Sequence, residues 1–131
     1  MNDGELVRLT LPLDRRFRSV ANLVLGGIAL RGNLSLEALE DLQLALGAVL
    51  DRAGSEGRAT VELALGERSV GVRVGPLALA GGLGRAGRGG FDLQRVLAAL
   101  VDEVELEGDW VRLSKATAAG LLPRPAVPSG P

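Results

Sequence analysis

Val61-Glu62-Leu63-Ala64-Leu65-Gly66-Glu67-Arg68-Ser69-Val70-Gly71-Val72-Arg73-Val74 is the stretch that decides the fold. Val61, Leu63 and Leu65 alternate with Glu62 and Ala64, and Val70, Val72 and Val74 alternate with Gly71 and Arg73. An apolar period of two marks a strand with one buried face. Gly66-Glu67 between the runs fits a two-residue hairpin with glycine first. The stretch is therefore an antiparallel pair, ended by Gly75-Pro76.

Upstream the period changes. Leu39, Leu42, Leu46, Val49, Leu50 and Ala53 recur at helical spacing. Ser35 stands where an N-cap belongs, and Gly54 where the helix should stop. Leu34 and Leu39 are placed for a hydrophobic staple across that cap. An earlier helix carries Phe17, Val20, Ala21, Val24 and Ile28, with Asp14 as its cap and Gly32 as its stop. Gly26 and Gly27 each weaken it by about 1 kcal/mol relative to alanine, and suit either a kink or a close helix contact. Leu6 to Leu11 is a strand ended by Pro12.

Downstream, Gly81, Gly82, Gly84, Gly87, Gly89 and Gly90 crowd into a loop. Asp92 caps a third helix with Leu93, Val96, Leu97 and Leu100. A last hairpin runs from Asp102 to Glu107, turns at Gly108-Asp109 and returns through Trp110 to Lys115. The order is β-α-α-β-β-loop-α-β-β. Helices interleaved with tight hairpins predict an α+β two-layer sandwich, its sheet mixed or antiparallel, with the helices on one face. Residues 1–115 form one domain, and the Pro-rich segment 116–131 reads as a tail, disordered past about Gly120.

Composition excludes several function classes. The chain has 131 residues and a net charge of −1, which is no footprint for DNA or RNA. Aromatics are 2%, too few for stacking platforms under single-stranded nucleic acid. Cysteine and histidine are absent, which removes thiol chemistry, histidine general bases and most transition-metal sites. The acidic start Met1-Asn2-Asp3-Gly4-Glu5 does not look like a signal peptide, and Val20 to Leu30 is too short to span a bilayer. A cytoplasmic protein without a membrane partner is expected.

Gly82-Leu83-Gly84-Arg85-Ala86-Gly87 spells Gly-x-Gly-x-x-Gly. A dinucleotide loop needs a strand directly before it and a helix opening on its last glycine, and neither is present here. Arg85 and Arg88 are candidate contacts for phosphate or a partner's carboxylates, against the plainer reading of solvated loop cations. Trp110 fits an interface anchor or a cross-strand packing residue. Asp102, Glu103, Glu105 and Glu107 read as a solvated acidic strand.

Four strings resemble the GHKL (histidine-kinase-like) ATPase superfamily in its anti-sigma-factor serine kinase branch. Val7-Arg8-Leu9-Thr10-Leu11-Pro12 resembles the family's first strand, and residues 35–46, SLEALEDLQLAL, the start of its ATP-site helix. Residues 98–106, AALVDEVEL, resemble its helix-to-strand segment after the lid, and Trp110 to Lys115 its final strand. The resemblance covers residues 6 to 115 and implies the Bergerat-type ATPase fold. It also implies which chemistry is missing. The family's general base and Mg²⁺ ligand fall on Ala48 and Arg52, and its adenine-reading aspartate on Pro76. Gly82, Gly84, Gly87, Gly89 and Gly90 are what remains of the phosphate lid, with Asp92 nearby.

What the resemblance implies is a degenerate member: a non-catalytic regulatory module with no Mg-ATP cofactor and no catalytic or metal-binding residues. Its partner would be a sigma factor or anti-sigma antagonist, with a homodimer also implied. The alternative is an active ATP-binding serine/threonine kinase with diverged motifs. It would draw its carboxylate from Asp41 or Asp51 and metal help from Asp92. A third possibility is another small ligand in the vacated pocket, lined by Leu77, Leu79 and Leu83.

Overall fold

Five strands line up in one antiparallel sheet in the computed structural model, which describes residues 5–54, 56–79, 82–84 and 92–121. They are β1 (Glu5–Pro12), β2 (Arg58–Leu65), β3 (Ser69–Gly75), β4 (Glu103–Glu107) and β5 (Trp110–Ala116). Their spatial order is β1-β2-β3-β5-β4, so β5 is interior and β4 is an edge. Four helices accompany them: α1 (Arg18–Arg31), α2 (Leu36–Ala53), α3 (Leu93–Leu100) and the short α4 (Ala118–Leu121). The class is α+β, and the sheet, expected as mixed or antiparallel, is antiparallel at every pairing.

Register separates the two faces. One row across the sheet reads Val7, Leu63, Val72, Leu113, Val104, and the next reads Leu9, Val61, Val74, Val111. Apart from Leu9, these rows share one core with Leu25 and Ile28 of α1, Leu42, Leu46 and Val49 of α2, and Leu93 and Leu97 of α3. Each fully buried aliphatic side chain contributes roughly 1.5–3 kcal/mol of transfer free energy. α1, α2 and α3 therefore lie on this face. The opposite face carries the polar set, where one row reads Arg8, Glu62, Arg73, Arg112, Glu105.

Local chemistry sets the helix ends. Ser35 caps α2 by accepting from the Ala38 N–H at 3.0 Å, and Gly54 ends it at φ 99°, a left-handed conformation that suits glycine. Asp92 caps α3 by accepting from the Arg95 N–H. Asp14 behaves differently from the expectation. It caps a single 3₁₀ turn, Arg15–Phe17, and α1 starts behind that turn with Phe17 at its N-cap and no side-chain bond there. The cause is Arg16, whose backbone N–H and guanidinium both bind the Asp14 carboxylate and hold the tight turn. Gly32 follows the last residue of α1, but Asn33 takes the left-handed conformation, at φ 57°. A Cβ at Gly32 would strike Leu65 Cδ1, so a larger residue there needs the Leu65 side chain to move aside.

The two hairpins divide. Gly108-Asp109 forms the expected two-residue turn between Glu107 and Trp110, with Gly108 at φ 64°. The β2–β3 turn is displaced by one residue. Leu65 pairs with Val70, and the Gly66 N–H donates to the Ser69 carbonyl, so Glu67 and Arg68 form the tip. Alternation alone allows either register, since both keep the valines inward. The observed one sets Glu62 opposite Arg73.

The C-terminal boundary also moves. β5 continues to Ala116, and Thr117 is fully buried. Its hydroxyl donates to the Glu67 carbonyl at 2.7 Å, and its N–H to the Arg68 carbonyl at 2.9 Å. α4 then lies against the β2–β3 turn, so residues 116–121 belong to the fold and not to the tail. Residues 122–131 lie outside the described residues.

Candidate functional site

Ala48 and Arg52, singled out by the resemblance, lie toward the C-terminal end of α2, and Pro76 lies in the segment after β3. Ala48 faces the core, half-buried on α2. One turn later the Arg52 guanidinium reaches across to the facing segment. It donates to the Gly84 carbonyl at 2.7 Å and is 3.4 Å from the Gly82 carbonyl. Guanidinium carries only donors, so Arg52 cannot ligate a cation.

The facing segment is fixed from several sides. The Leu77 N–H donates to the Asp109 carbonyl at 2.7 Å, the Gly82 N–H to Leu79, and the Gln94 N–H to the Leu83 carbonyl at 2.7 Å. Leu77 and Leu83 are buried core residues and Leu79 is partly buried against the same core. The three leucines suggested as an apolar ligand lining thus pack into the protein's own interior. Pro76 is exposed and brings no side-chain acceptor. Arg85, Gly87, Arg88, Gly89 and Gly90 lie outside the described residues; of the glycine candidates, Gly82 and Gly84 are described.

The carboxylates of the kinase alternative are each engaged. Asp41 pairs with Lys115 Nζ at 3.2 Å, and that ammonium also donates to the Leu100 carbonyl at 2.7 Å. Lys115 thereby ties β5 to α2 and to the end of α3. Asp51 pairs with Arg18 on α1. Asp92 serves α3 as its cap. Among the described residues no three acidic side chains group as a metal site, and no helix is long and apolar enough to cross a membrane.

The exposed face of the sheet carries what sequence reading missed. Glu62 lies between two arginines, 2.9 Å from Arg8 Nε and 3.1 Å from Arg73 Nη1. Burial pushes its carboxyl pKa up, but the hydrogen bonds and charges of Arg73 and Arg8 outweigh that and hold it below the ordinary value. Arg73 also approaches Glu107 at 3.5 Å and lies 4.3 Å from the centre of the Trp110 ring. Trp110 is laid over Gly75, where an added Cβ would stand 2.5 Å from the ring. The cross-strand reading of Trp110 is the one the geometry matches. Beside this ladder a trough of about 620 Å³ opens over Ala64, Gly71, Ser69 and Ser114. The signal that could have found Glu62 is its single strand position between two basic strand positions, once the register is known.

No family model matches the chain, and no curated protein is significantly similar to it.

Proposed function

We propose that this chain is a non-catalytic regulatory module, built like an anti-sigma-factor kinase of the GHKL type but without Mg-ATP chemistry. It acts by binding a protein partner in the cytoplasm, a sigma factor or an anti-sigma antagonist. One observation carries the reading: Arg52, at the position of the family's metal ligand, is hydrogen-bonded to the backbone of the Gly82–Gly84 segment. Phosphoryl transfer depends on a positioned metal and base. Here a cation takes the place of the metal ligand and Ala48 that of the base. Engagement of Asp41, Asp51 and Asp92 elsewhere supports the same reading.

Titration calorimetry with Mg-ATP tests it. The expected result is no binding heat and no phosphate transfer to co-purified proteins. Micromolar binding with transfer to a serine of a partner would establish the kinase instead. Affinity purification that returns no sigma factor, antagonist or other transcriptional regulator would remove the partner half of the proposal.

A further inference from the structure

β1 is one edge of the sheet and β4 the other, and the two are protected unequally. A free edge offers backbone N–H and C=O groups to any extended chain, and proteins blunt it with brevity, charge, proline or a bulge. β4 has five residues, three of them glutamates. β1 has eight residues, and its pairing with β2 runs without a bulge from Glu5 opposite Leu65 to Pro12 opposite Arg58. Its two charged side chains are engaged within the chain, Glu5 by Arg31 and Arg8 by Glu62. Pro12 stands only at its last position.

The ladder determines which backbone groups are open. The Leu13 N–H donates to the Gly57 carbonyl at 2.9 Å, in step with the β1–β2 register. On the far side of β2 the Gly66 N–H donates to the Ser69 carbonyl, so even-numbered β2 residues bond toward β3 and odd-numbered ones toward β1. In antiparallel pairing the N–H and C=O of one residue point to the same side, and the side alternates along the strand. Odd-numbered residues of β1 therefore bond to β2, and Leu6, Arg8 and Thr10 turn their N–H and C=O groups to the free edge. The side chains there are equally uncovered. Leu6 is 61% exposed, and Leu9, on the helix side, is half-buried and outside the core. Glu62 takes the Arg8 guanidinium through Nε, and neither Nη nitrogen has a partner among the described residues.

We propose that the free edge of β1 takes an extended segment of a partner protein as an added antiparallel strand, with a carboxylate opposite Arg8 and apolar side chains beside it against Leu9 and Val7. β2 is the template for this chemistry. On the other side of β1 it sets Glu62 opposite Arg8, flanked by Val61 opposite Leu9 and Leu63 opposite Val7. In strand addition the main-chain bonds supply affinity, and alternate side chains supply selectivity. The chain's own C-terminal segment suits the edge poorly, since Pro123, Pro125 and Pro128 interrupt both alternating rows of N–H groups. The inference deepens the protein-binding half of the proposed function and rests on that half; the Mg-ATP half plays no part.

The test uses the full chain and a labelled synthetic peptide ATVELAL, the sequence of residues 59–65, with lysines appended for solubility. Fluorescence anisotropy should show saturable binding. Amide exchange followed by NMR should slow at least tenfold at Leu6, Arg8 and Thr10 on adding peptide, with Val7 and Leu9 protected before and after. N-methylation of the peptide's glutamate and of the alanine two residues later removes N–H groups that face β1, and should abolish binding. The same change at its valine and the leucine two residues later should leave binding within twofold, since those groups face outward. Leu6→Pro removes an outward N–H and no bond to β2, so the chain should keep its circular dichroism and bind at least tenfold more weakly. Absence of saturable binding, slowed exchange elsewhere than at these three amides, or indifference to the N-methyl position would overturn the proposal. So would displacement of the peptide by the chain itself at higher concentration, which would give the edge to a second copy. A transcriptional regulator captured by affinity purification and bound equally by Leu6→Pro would leave the proposed function standing and sink this inference. Failure to capture one, with the peptide binding as expected, would do the reverse.

Discussion

Arg52 on the last turn of α2 donates to the carbonyl of Gly84, 2.7 Å away and 32 residues later in the chain. This contact fastens the segment after β3 to the C-terminal end of α2. Hydrogen bonds from a charged donor contribute about 1.5–3 kcal/mol when sheltered, and this half-buried one should sit at the low end. Arg52→Ala should therefore lower stability by roughly 1.5 kcal/mol in urea denaturation and speed hydrogen exchange at residues 82–84. Under the proposed function, Arg52→Asn would supply the residue type that the resemblance expects as a metal ligand, and it should still bind no Mg-ATP in calorimetry, because Ala48 and Pro76 are unchanged.

Gly75 and Trp110 occupy each other's space. A Cβ at position 75 would stand 2.5 Å and 2.6 Å from ring atoms and 3.0 Å from the Asp109 carbonyl. Overpacking of this kind costs about 1–3 kcal/mol. Gly75→Ala should lower the denaturation midpoint accordingly and shift the emission of the single tryptophan. In a Trp110→Ala background the same change should cost clearly less, since only the carbonyl contact remains. Equal cost in both backgrounds would show that the ring is not the obstacle.

Glu62 makes stability depend on pH in a defined direction. Its carboxyl is held below its ordinary value of 4.5 in the folded chain, so the unfolded chain binds the proton more readily. The stabilisation is present above that value and is lost as pH falls through the folded pKa. Stability should therefore decline in acid, and Glu62→Gln should flatten part of that decline. The comparison is between urea midpoints of the two chains at neutral pH and below pH 4.5. Arg8→Gln removes one of the two cations and should flatten it partially.

Thr117 and Gly120 fasten the C-terminal end of the fold to the β2–β3 turn. The Thr117 hydroxyl both donates to the Glu67 carbonyl and accepts from the Gly120 N–H at 3.2 Å. A Cβ on Gly120 would collide with the Arg68 carbonyl, which is backbone and cannot swing aside. Thr117→Val should cost about 1–2 kcal/mol by leaving buried partners unpaired. Gly120→Ala should detach α4. A chain truncated after Lys115 should be less stable than one truncated after Leu121 in thermal unfolding. Equal melting temperatures would return the domain boundary to residue 115.

The elements themselves were legible because their signals are local. Ser35 and Asp92 cap helices through N–H groups three residues away, and Gly108-Asp109 closes a hairpin by its own backbone preference. Inward alternation in β2 and β3 is likewise a property of adjacent residues. So was the residue inventory: no histidine, no cysteine, and alanine and arginine at positions 48 and 52. Asp14 shows the limit even at short range, since Arg16 competes for its carboxylate and converts a helix cap into a 3₁₀ turn.

Tertiary structure alone decided the rest. β5 lies between β3 and β4, with Val111 and Leu113 buried in the core and β4 at the edge, a pairing between segments far apart in the chain. The β2–β3 register could not be chosen from alternation, because both candidates bury the same valines; it sets Glu62 across from Arg73 and moves the turn to Glu67-Arg68. Arg52 on the Gly84 carbonyl, Lys115 on Asp41 and Thr117 on the β2–β3 turn are all contacts between distant parts of the chain. Sequence spacing fixes which residues share a helix turn or a strand face. It does not fix which surfaces the folded core brings together, because those contacts depend on the packing of the whole chain.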